Sequence, residues 1–213
     1  MSEFFTKNNV NIPSIGLGTW DLRGNECENA IQVALDVGYR HIDTAQMYEN
    51  EKEIGNAITN SKIKRDKLFI TTKINTLVVK NNTISDSFEK SLQNLKTDFV
   101  DLLLIHFPVF TTNLSDMLKI LFKLKEVGKT KNIGISNFNH TLVQECTDLG
   151  YEDIFCNQVE YHPYLNQQSI IEAVKKYNIL PVAYCPLAKG ELLDNQMILE
   201  IANKYSKTPA QIV

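Results

Sequence analysis

The strongest constraint on the fold of this 213-residue chain is a repeating alternation of short apolar runs with longer amphipathic segments. The apolar residues of each run are consecutive rather than alternating, which is typical of strands that are buried on both faces of a parallel sheet. Strands that alternate with helices form β/α units, and the repeat of about thirty residues fits the length of such a unit. Seven runs follow this pattern, at residues 12–17, 39–42, 68–72, 100–105, 131–135, 155–159 and 179–183.

The segments between the runs have the spacing and the end signals of helices. Gly38, Gly128 and Gly150 stand where helices should end, because glycine readily adopts the left-handed backbone of a helix C-terminus. Asn50, followed three residues later by Glu53, forms a candidate capping box at a helix start. Two predicted helix faces consist of Ala30, Ile31, Val33, Ala34 and Val37, and of Leu114, Met117, Leu118, Leu121, Phe122 and Leu124.

Two architectures fit this alternation, an open doubly wound sheet and a closed β/α barrel. The dinucleotide-binding fingerprint of the open sheet has three glycines between its first strand and its first helix. Here Gly16 and Gly18 supply two of them, and Asp21 stands in the place of the third. Polar residues also end strand after strand, which favours the barrel. We therefore predict a single-domain (β/α) barrel of the TIM type over residues 1–213.

Composition and charge argue against several classes of function. The chain has 43% hydrophobic and 22% charged residues, as globular proteins do, and its formal charge of −3 gives no basic surplus for nucleic acid. No apolar run is long enough to span a bilayer and the N-terminus lacks a signal-peptide pattern, so the cytoplasm is the expected location. No two cysteines have metal-ligand spacing, so no metal site is predicted. Free thiols are expected at Cys27, Cys146, Cys156 and Cys185.

Chemically active side chains follow the apolar runs at equivalent positions. The active site of a β/α barrel lies at the C-terminal ends of its strands, so these side chains should converge on one mouth. Taken singly, Asp43 could be a helix cap, Lys73 could reach solvent and His106 could be a hydrogen-bonded core residue. Their repetition favours an active site, because burying unpaired charges in a core is costly. The strand-end residues are Gly18, Thr19, Trp20, Asp43, Lys73, His106, Ser136, Asn137, Asn157, Gln158, Glu160, Tyr184 and Cys185.

Several of these segments resemble one known family. The string GYRHIDTA that starts at Gly38, followed by YENE, is similar to the signature around the catalytic tyrosine of aldo-keto reductases. FITTK, which ends at Lys73, and VDLLLIH, which ends at His106, resemble the segments that carry the catalytic lysine and histidine. GISNF, NQVEYHP and YCPL resemble cofactor-side motifs. Because the match runs in one order from Gly16 to the end, the sequence is identified as a member of this family.

The resemblance implies a reductase that transfers a hydride from NAD(P)H to the carbonyl of an aldehyde or ketone. NADPH is the favoured cofactor and NADH stays open. The expected partner is a small-molecule carbonyl substrate, with no nucleic acid, membrane or protein partner. Tyr48 is the implied proton donor, and we expect Lys73 to lower the pKa of its phenol while Asp43 holds the lysine. His106 would hydrogen-bond the carbonyl oxygen.

The resemblance also implies individual contacts, residue by residue. Ser136, Asn137 and Gln158 would bind the nicotinamide carboxamide, and Tyr184 would stack on its ring. His41 is expected to be structural and to lie inside the barrel. The implied catalytic residues are Asp43, Tyr48, Lys73 and His106. The implied cofactor-binding residues are Thr19, Trp20, Asp43, Ser136, Asn137, Gln158, Tyr184, Cys185, Leu187 and Lys189, and the implied substrate-binding residues are Trp20, Tyr48, His106 and Phe107.

The last residues have the signals of a helix start. Thr208, followed three residues later by Gln211, is a capping box, and Pro209 suits the first helical turn. Because the sequence ends within that turn, we predict seven of the eight β/α units of the family barrel, and so an incomplete, C-terminally truncated domain.

Three functions stay open on this basis: a working reductase, an inactive truncated fragment, and a non-catalytic barrel that serves as a binding subunit. The four catalytic residue types argue against the binding subunit, which has no need of them. A metal-dependent barrel hydrolase is a distant fourth. It would need clustered His and Asp ligands, and no His-x-His follows the first strand.

Overall fold

The computed structural model describes residues 4–76, 83–108 and 113–213, which contain nine strands and eight α-helices. The strands are β1 (Phe4–Lys7), β2 (Val10–Pro13), β3 (Leu17–Gly18), β4 (His41–Asp43), β5 (Phe69–Ile74), β6 (Val100–Ile105), β7 (Thr130–Ser136), β8 (Cys156–Glu160) and β9 (Leu180–Tyr184). The α-helices are α1 (Gly24–Asp36), α2 (Glu51–Asn60), α3 (Ile84–Leu95), α4 (Leu114–Glu126), α5 (His140–Asp148), α6 (Gln168–Lys176), α7 (Gln196–Tyr205) and α8 (Pro209–Ile212).

Seven parallel strands form one sheet in the order β3-β4-β5-β6-β7-β8-β9. Each strand pairs with the next one along the chain, whereas a doubly wound sheet reverses its strand order near the middle. This sequential order confirms the predicted barrel type, and the described residues contain the seven β/α units that were predicted. Six of the seven predicted runs coincide with barrel strands, although the strand ends differ by a few residues.

The prediction of one continuous first strand at residues 12–17 is wrong, because this run is divided between two strands. Its start belongs to β2, which pairs with β1 in an antiparallel hairpin, and only Leu17 and Gly18 enter the barrel sheet. The hairpin turns at Asn8 and Asn9, whose φ angles are 50° and 63°. Positive φ at both residues of a two-residue turn is typical of a type I′ hairpin, so the Asn-Asn pair was the available sequence signal.

The barrel sheet is strongly curved, as one contact across it shows. Gln158 Nε2 donates to Asp43 Oδ2 at 2.7 Å, although their strands, β8 and β4, are four positions apart in the sheet. In a flat sheet that separation would be about 19 Å, because neighbouring strands lie about 4.8 Å apart. The strands therefore curl into a barrel, and their C-terminal ends face one mouth.

A small apolar cluster fills the barrel interior below this mouth. Alternate residues of a strand point to the same side, so Phe69 lies on the side of β5 that also carries Lys73. His41 lies there too, since its Nε2 is 3.0 Å from the Thr71 hydroxyl oxygen and its ring packs edge-on against Phe69. The prediction that His41 lies inside the barrel is confirmed. The apolar members of the cluster are Ile12, Phe69, Leu102, Leu104, Phe155 and Cys156.

Most of the predicted helix ends are confirmed. Gly38, Gly128 and Gly150 follow α1, α4 and α5 with positive φ angles, as the left-handed backbone of a helix C-terminus requires. Thr208 and Gln211 form the predicted capping box at the start of α8, where each side chain bonds the backbone of the other residue.

The predicted capping box at Asn50 and Glu53 is wrong. Asn50 precedes α2, but its side chain makes no capping bond. Its buried amide is used elsewhere, since Nδ2 donates to the carbonyl oxygens of Thr19 and Leu22 at 2.7 and 3.1 Å. Asn50 therefore ties the start of α2 to the loop after β3 instead of capping the helix.

One of the two predicted helix faces is also partly wrong. Val33 and Val37 are exposed, because the buried face of α1 is rotated relative to the prediction. The buried residues of α1 are Cys27, Ile31, Ala34 and Leu35. The face of α4 is confirmed, since Met117, Leu118, Leu121 and Leu124 are buried and Leu114 and Phe122 pack beside them.

The four cysteines are free thiols, as predicted. Across residues 4–76, 83–108 and 113–213, no helix is both long and apolar enough to cross a bilayer. The same ranges contain no cluster of His, Cys, Asp and Glu side chains able to hold a metal ion. The cytoplasmic location stays a prediction.

We expect Gly55→Ala to destabilise the fold, because α2 and α3 touch at this glycine. A Cβ on Gly55 would lie 2.2 Å from the backbone oxygen of Asn94, which cannot move without shifting α3. Such overpacking costs about 1–3 kcal/mol, at least as much as the ~1 kcal/mol that alanine gains over glycine in a helix. Urea unfolding measures the resulting decrease in the free energy of unfolding.

Gly18→Ala is the matched control for this substitution. No atom lies within 4 Å of the position that its Cβ would take, so the free energy of unfolding should change little. Equal losses of stability in the two variants would contradict the packing argument at Gly55.

Candidate active site

Lys73 lies at the centre of the site, with its ammonium group buried beneath the barrel mouth. It is the second-last residue of β5 and is 1% exposed. Its Nζ forms an ion pair with Asp43 Oδ1 and donates to the Thr44 carbonyl oxygen at 2.9 Å. It also donates to the Tyr48 hydroxyl oxygen at 3.3 Å. An ammonium group has three N–H donors, so these contacts use all of them.

These partners keep Lys73 charged in spite of its burial. Burial lowers the pKa of the ammonium group, but Asp43 and then Tyr48 raise it by more, so the pKa lies above its ordinary value. Removing one partner of a buried ion pair is strongly destabilising, because the other charge is left buried without compensation. Lys73 and Asp43 are therefore a matched pair, brought together as the sequence predicted.

The Tyr48 phenol lies against Lys73, at the end of a short 3-10 helix (Gln46–Tyr48). The Lys73 ammonium is the donor in their hydrogen bond, so the phenol's own hydrogen is not used there. Burial raises the pKa of Tyr48 above its ordinary value, and Lys73 opposes this increase without overcoming it. Lys73 lowers this pKa, as predicted, but desolvation of the phenol raises it by more, so the net effect is an increase.

His106 forms the third side of the site, directly after β6. Its ring centroid is 5.6 Å from that of Tyr48, with the rings nearly perpendicular, and it stacks on Phe107 at 4.6 Å. Burial, and then the charge of Lys73, lower the pKa of His106 to about 4, while Asp43 opposes the decrease. The imidazole is therefore neutral at neutral pH. Its buried Nδ1 makes no hydrogen bond to the described residues.

A chain of hydrogen bonds extends from Asp43 along the strand ends. The carboxylate holds Lys73 through one oxygen and accepts from Gln158 Nε2 through the other, at 2.7 Å. The Ser136 hydroxyl donates to the Gln158 carbonyl oxygen at 2.8 Å. The second N–H and the side-chain oxygen of Gln158 make no bond to the described residues.

Asn137 continues this chain with a strained backbone. Its φ angle is 63°, and its Nδ2 donates to Ser136 Oγ at 3.1 Å and to the His106 carbonyl oxygen at 2.9 Å. The Tyr184 hydroxyl donates to Asn137 Oδ1 at 2.9 Å, which places that aromatic ring at the same end of the barrel. The ends of β6, β7, β8 and β9 are thus joined by side-chain bonds.

The remaining predicted residues lie around the rim. Thr19 is buried, and both its hydroxyl and its backbone N–H donate to the Asp43 carbonyl oxygen at 3.0 Å. Trp20 is 58% exposed, and the Lys189 ammonium lies 5.3 Å from the centre of its ring. Cys185 and Leu187 lie on the loop after β9 and are half-buried.

Two cavities lie away from this cluster. One, of about 440 Å³, lies between α4 and α5, and the other, of about 550 Å³, lies beside the start of α7. Neither is lined by any of the four predicted catalytic residues. The residues that could hold a ligand at the mouth are instead those with unused hydrogen-bonding groups, above all Gln158, Tyr48 and His106.

Residues 14–212 match the sequence model of the Aldo/keto reductase family. The chain belongs to this family. The match spans the whole barrel sheet and all four predicted catalytic residues. Family membership and fold are thereby shown, as the sequence motifs predicted, while the roles of individual residues remain predictions.

Relatives in this family are similar along almost the whole chain. A methylglyoxal reductase, DkgB, from Escherichia coli O157:H7 is 40% identical over 205 residues, which are 95% of this chain and 77% of that protein. The structure of an aldose reductase from Schistosoma japonicum is 33% identical with a TM-score of 0.90, over 97% of this chain and 75% of that one. An aldo-keto reductase from a deep-sea metagenome, MGS-M4, is 39% identical with a TM-score of 0.92, over 96% and 76%.

Acid should weaken the fold through His106. Its pKa is about 4 in the folded chain, where burial lowers it, and about 6.5 in an unfolded chain. The unfolded state therefore binds the proton more strongly, so stability that is present above about pH 6.5 is lost as the pH falls towards about 4. Melting temperatures across this range should decrease less in His106→Gln than in the wild type.

His140→Gln is the control for that titration, because His140 is exposed at the start of α5. It should show the same acid-dependent decrease in melting temperature as the wild type. An equally steep decrease in His106→Gln would show that His106 does not contribute to acid sensitivity.

Proposed function

We propose that this protein reduces the carbonyl group of small aldehydes or ketones with a nicotinamide cofactor, with Tyr48 as the proton donor. One observation carries the proposal: the buried Lys73 ammonium, paired with Asp43, donates a hydrogen bond to the Tyr48 phenol. A phenol in this position has a hydrogen to give and a cation that stabilises the phenolate left behind. A barrel used only for binding has no need of this arrangement.

The polar groups at the mouth fit a nicotinamide carboxamide, which has both N–H donors and a carbonyl acceptor. Gln158, beside Asp43, has one N–H and a side-chain oxygen that bond to none of the residues that the structure describes, so it can pair with both parts of such an amide. Asn137 and Ser136 lie next to it, and the Tyr184 ring, anchored on Asn137, offers an aromatic face. The fit supports Gln158, Asn137 and Ser136 as carboxamide contacts and Tyr184 as the stacking partner.

When bound, the nicotinamide supplies the hydride that reaches the carbonyl carbon. The carbonyl oxygen takes the Tyr48 hydroxyl proton as negative charge develops on it, so the product is an alcohol and the phenol becomes a phenolate. Lys73 stabilises that phenolate, and Asp43 keeps Lys73 in place. His106 is neutral, so its ring N–H can donate a hydrogen bond that orients the carbonyl oxygen without transferring a proton.

Small aldehydes and ketones are the substrates that we propose. The Escherichia coli relative is named a methylglyoxal reductase, and its similarity spans 95% of this chain. Trp20 and Phe107 would provide apolar walls beside the Tyr48 and His106 pair. NADPH is the proposed cofactor on the family resemblance, with Cys185, Leu187 and Lys189 near its pyrophosphate. Thr19, bonded to the Asp43 carbonyl oxygen, would lie by the cofactor near the catalytic cluster.

Tyr48→Phe should lower turnover of carbonyl substrates by at least about 100-fold, because it removes only the proton that the reaction needs. Cofactor affinity should be kept, since the proposed carboxamide contacts lie at the ends of β7 and β8. Tyr151→Phe is the matched control, because that phenol donates to the Ser115 carbonyl oxygen at 3.4 Å, away from the mouth. Unchanged turnover in Tyr48→Phe would refute the proposed role.

Trp20, the single tryptophan of the chain, reports on cofactor binding directly. It lies at the mouth beside Lys189. Titration with NADPH should therefore quench its fluorescence until the signal saturates, and NADPH should bind with a lower dissociation constant than NADH. Quenching should weaken in Gln158→Leu, which removes the proposed carboxamide partner. A folded protein whose fluorescence responds to neither nucleotide would contradict the proposed cofactor.

A further inference from the structure

A buried hydrogen-bond network lies behind the catalytic pair, on the helix side of the sheet. Its centre is Ser91 on α3, which is 1% exposed. Gln46 Nε2 donates to Ser91 Oγ at 3.0 Å. Burial raises the pKa of the Glu51 carboxyl group, and Thr72, together with Ser91 and Asn94 of α3, opposes this increase. Gln46 and Glu51 precede and follow Tyr48 in the chain. The segment that carries Tyr48 is therefore attached to α3 through Gln46, and Glu51 lies beside polar side chains of the same helix.

The same two side chains also hold β5 on both sides of Lys73. The Thr72 hydroxyl donates to Glu51 Oε1 at 2.6 Å. Beyond Lys73, the backbone N–H of Asn75 donates to Gln46 Oε1 at 2.9 Å. Neighbouring side chains of a strand point to opposite sides, so Thr72 faces the helices while Lys73 faces the barrel interior. One network thus fixes both partners of the Tyr48–Lys73 contact.

The segment that carries Tyr48 needs such support. It is a single turn of 3-10 helix, which is too short to be stable alone. The next residue, Glu49, has a φ angle of 54°, a left-handed backbone that is unfavourable for a residue with a side chain. Without bonds from outside the segment, nothing local would keep the phenol in one place.

We propose that Gln46 and Glu51 are positioning residues that hold the Tyr48 hydroxyl within hydrogen-bonding distance of the Lys73 ammonium. They act through the backbone around Tyr48 and Lys73 rather than on the substrate. The inference rests on the proposed function, because this distance affects catalysis only if Tyr48 donates the proton. A displacement of about 1 Å in such a group can reduce a rate by up to ~100-fold.

The decisive measurement is the titration of Tyr48 itself in the full chain, by NMR of ring-labelled tyrosine, with Tyr48→Phe identifying its signal. Gln46→Leu removes both bonds of the Gln46 amide. The Lys73 ammonium, which lowers the phenol pKa, should then lie further away, so the Tyr48 pKa should rise by about 0.5 unit or more. Ser91→Ala removes the bond that joins Gln46 to α3 and should raise the Tyr48 pKa in the same direction.

Gln32→Leu is the matched control. It removes a similar amide hydrogen bond, from Gln32 Nε2 to Asp36 Oδ1 at 2.9 Å, on the outer surface of α1. The Tyr48 pKa should stay at the wild-type value in this variant. If Gln46→Leu does not fold, Ser91→Ala provides the same comparison.

An unchanged or lowered Tyr48 pKa in Gln46→Leu, or in Ser91→Ala if Gln46→Leu does not fold, would overturn the inference. This holds whether or not the protein turns over substrate. Turnover separates the two proposals. We expect kcat to fall about tenfold in Gln46→Leu with unchanged cofactor affinity and normal kcat in Gln32→Leu. A wild type that reduces no carbonyl would refute the proposed function alone, whereas equal kcat in the two variants would refute positioning alone.

Discussion

A buried ammonium group is stable only if a counter-charge and hydrogen-bond acceptors surround it, and in this barrel Asp43 supplies the counter-charge to Lys73. The carboxylate also bonds Gln158, four strands away around the sheet. One side chain therefore neutralises the buried charge and joins opposite walls of the mouth. The curvature of the sheet and the electrostatics of the site depend on each other, because flattening the sheet would break the bond that completes the environment of Asp43.

The charges of the site balance before any reaction takes place. Lys73 and Asp43 cancel, His106 is neutral and the Tyr48 phenol keeps its proton because burial raises its pKa. On the proposed mechanism this high pKa is compatible with proton donation, since a developing alkoxide is a far stronger base than a phenolate. The negative charge would then pass to the phenol oxygen, which already accepts a hydrogen bond from the Lys73 ammonium.

The sequence predicted the repeating β/α architecture and the convergence of Asp43, Lys73 and His106, because both follow from periodicity and from where each strand ends. It did not predict the N-terminal hairpin, since consecutive apolar residues at 12–17 conceal a change of direction. It predicted that Lys73 lowers the Tyr48 pKa but not the larger increase caused by burial, because the degree of burial is set by packing around the phenol and not by its neighbours in sequence. The Gln46 and Glu51 network was missed for a related reason, since its partners lie far away on α3 and β5.

The hairpin has a consequence for the order in which the barrel assembles. The Lys7 ammonium donates to the carbonyl oxygens of Ile154 and Phe155, which are 147 and 148 positions away in the chain, whereas successive strands are about thirty residues apart. Closing the longer loop costs more chain entropy, so these contacts should form after the strands between them. The hairpin would thus stay undocked until a partner 147 residues further along the chain has folded, which hydrogen exchange during refolding can detect.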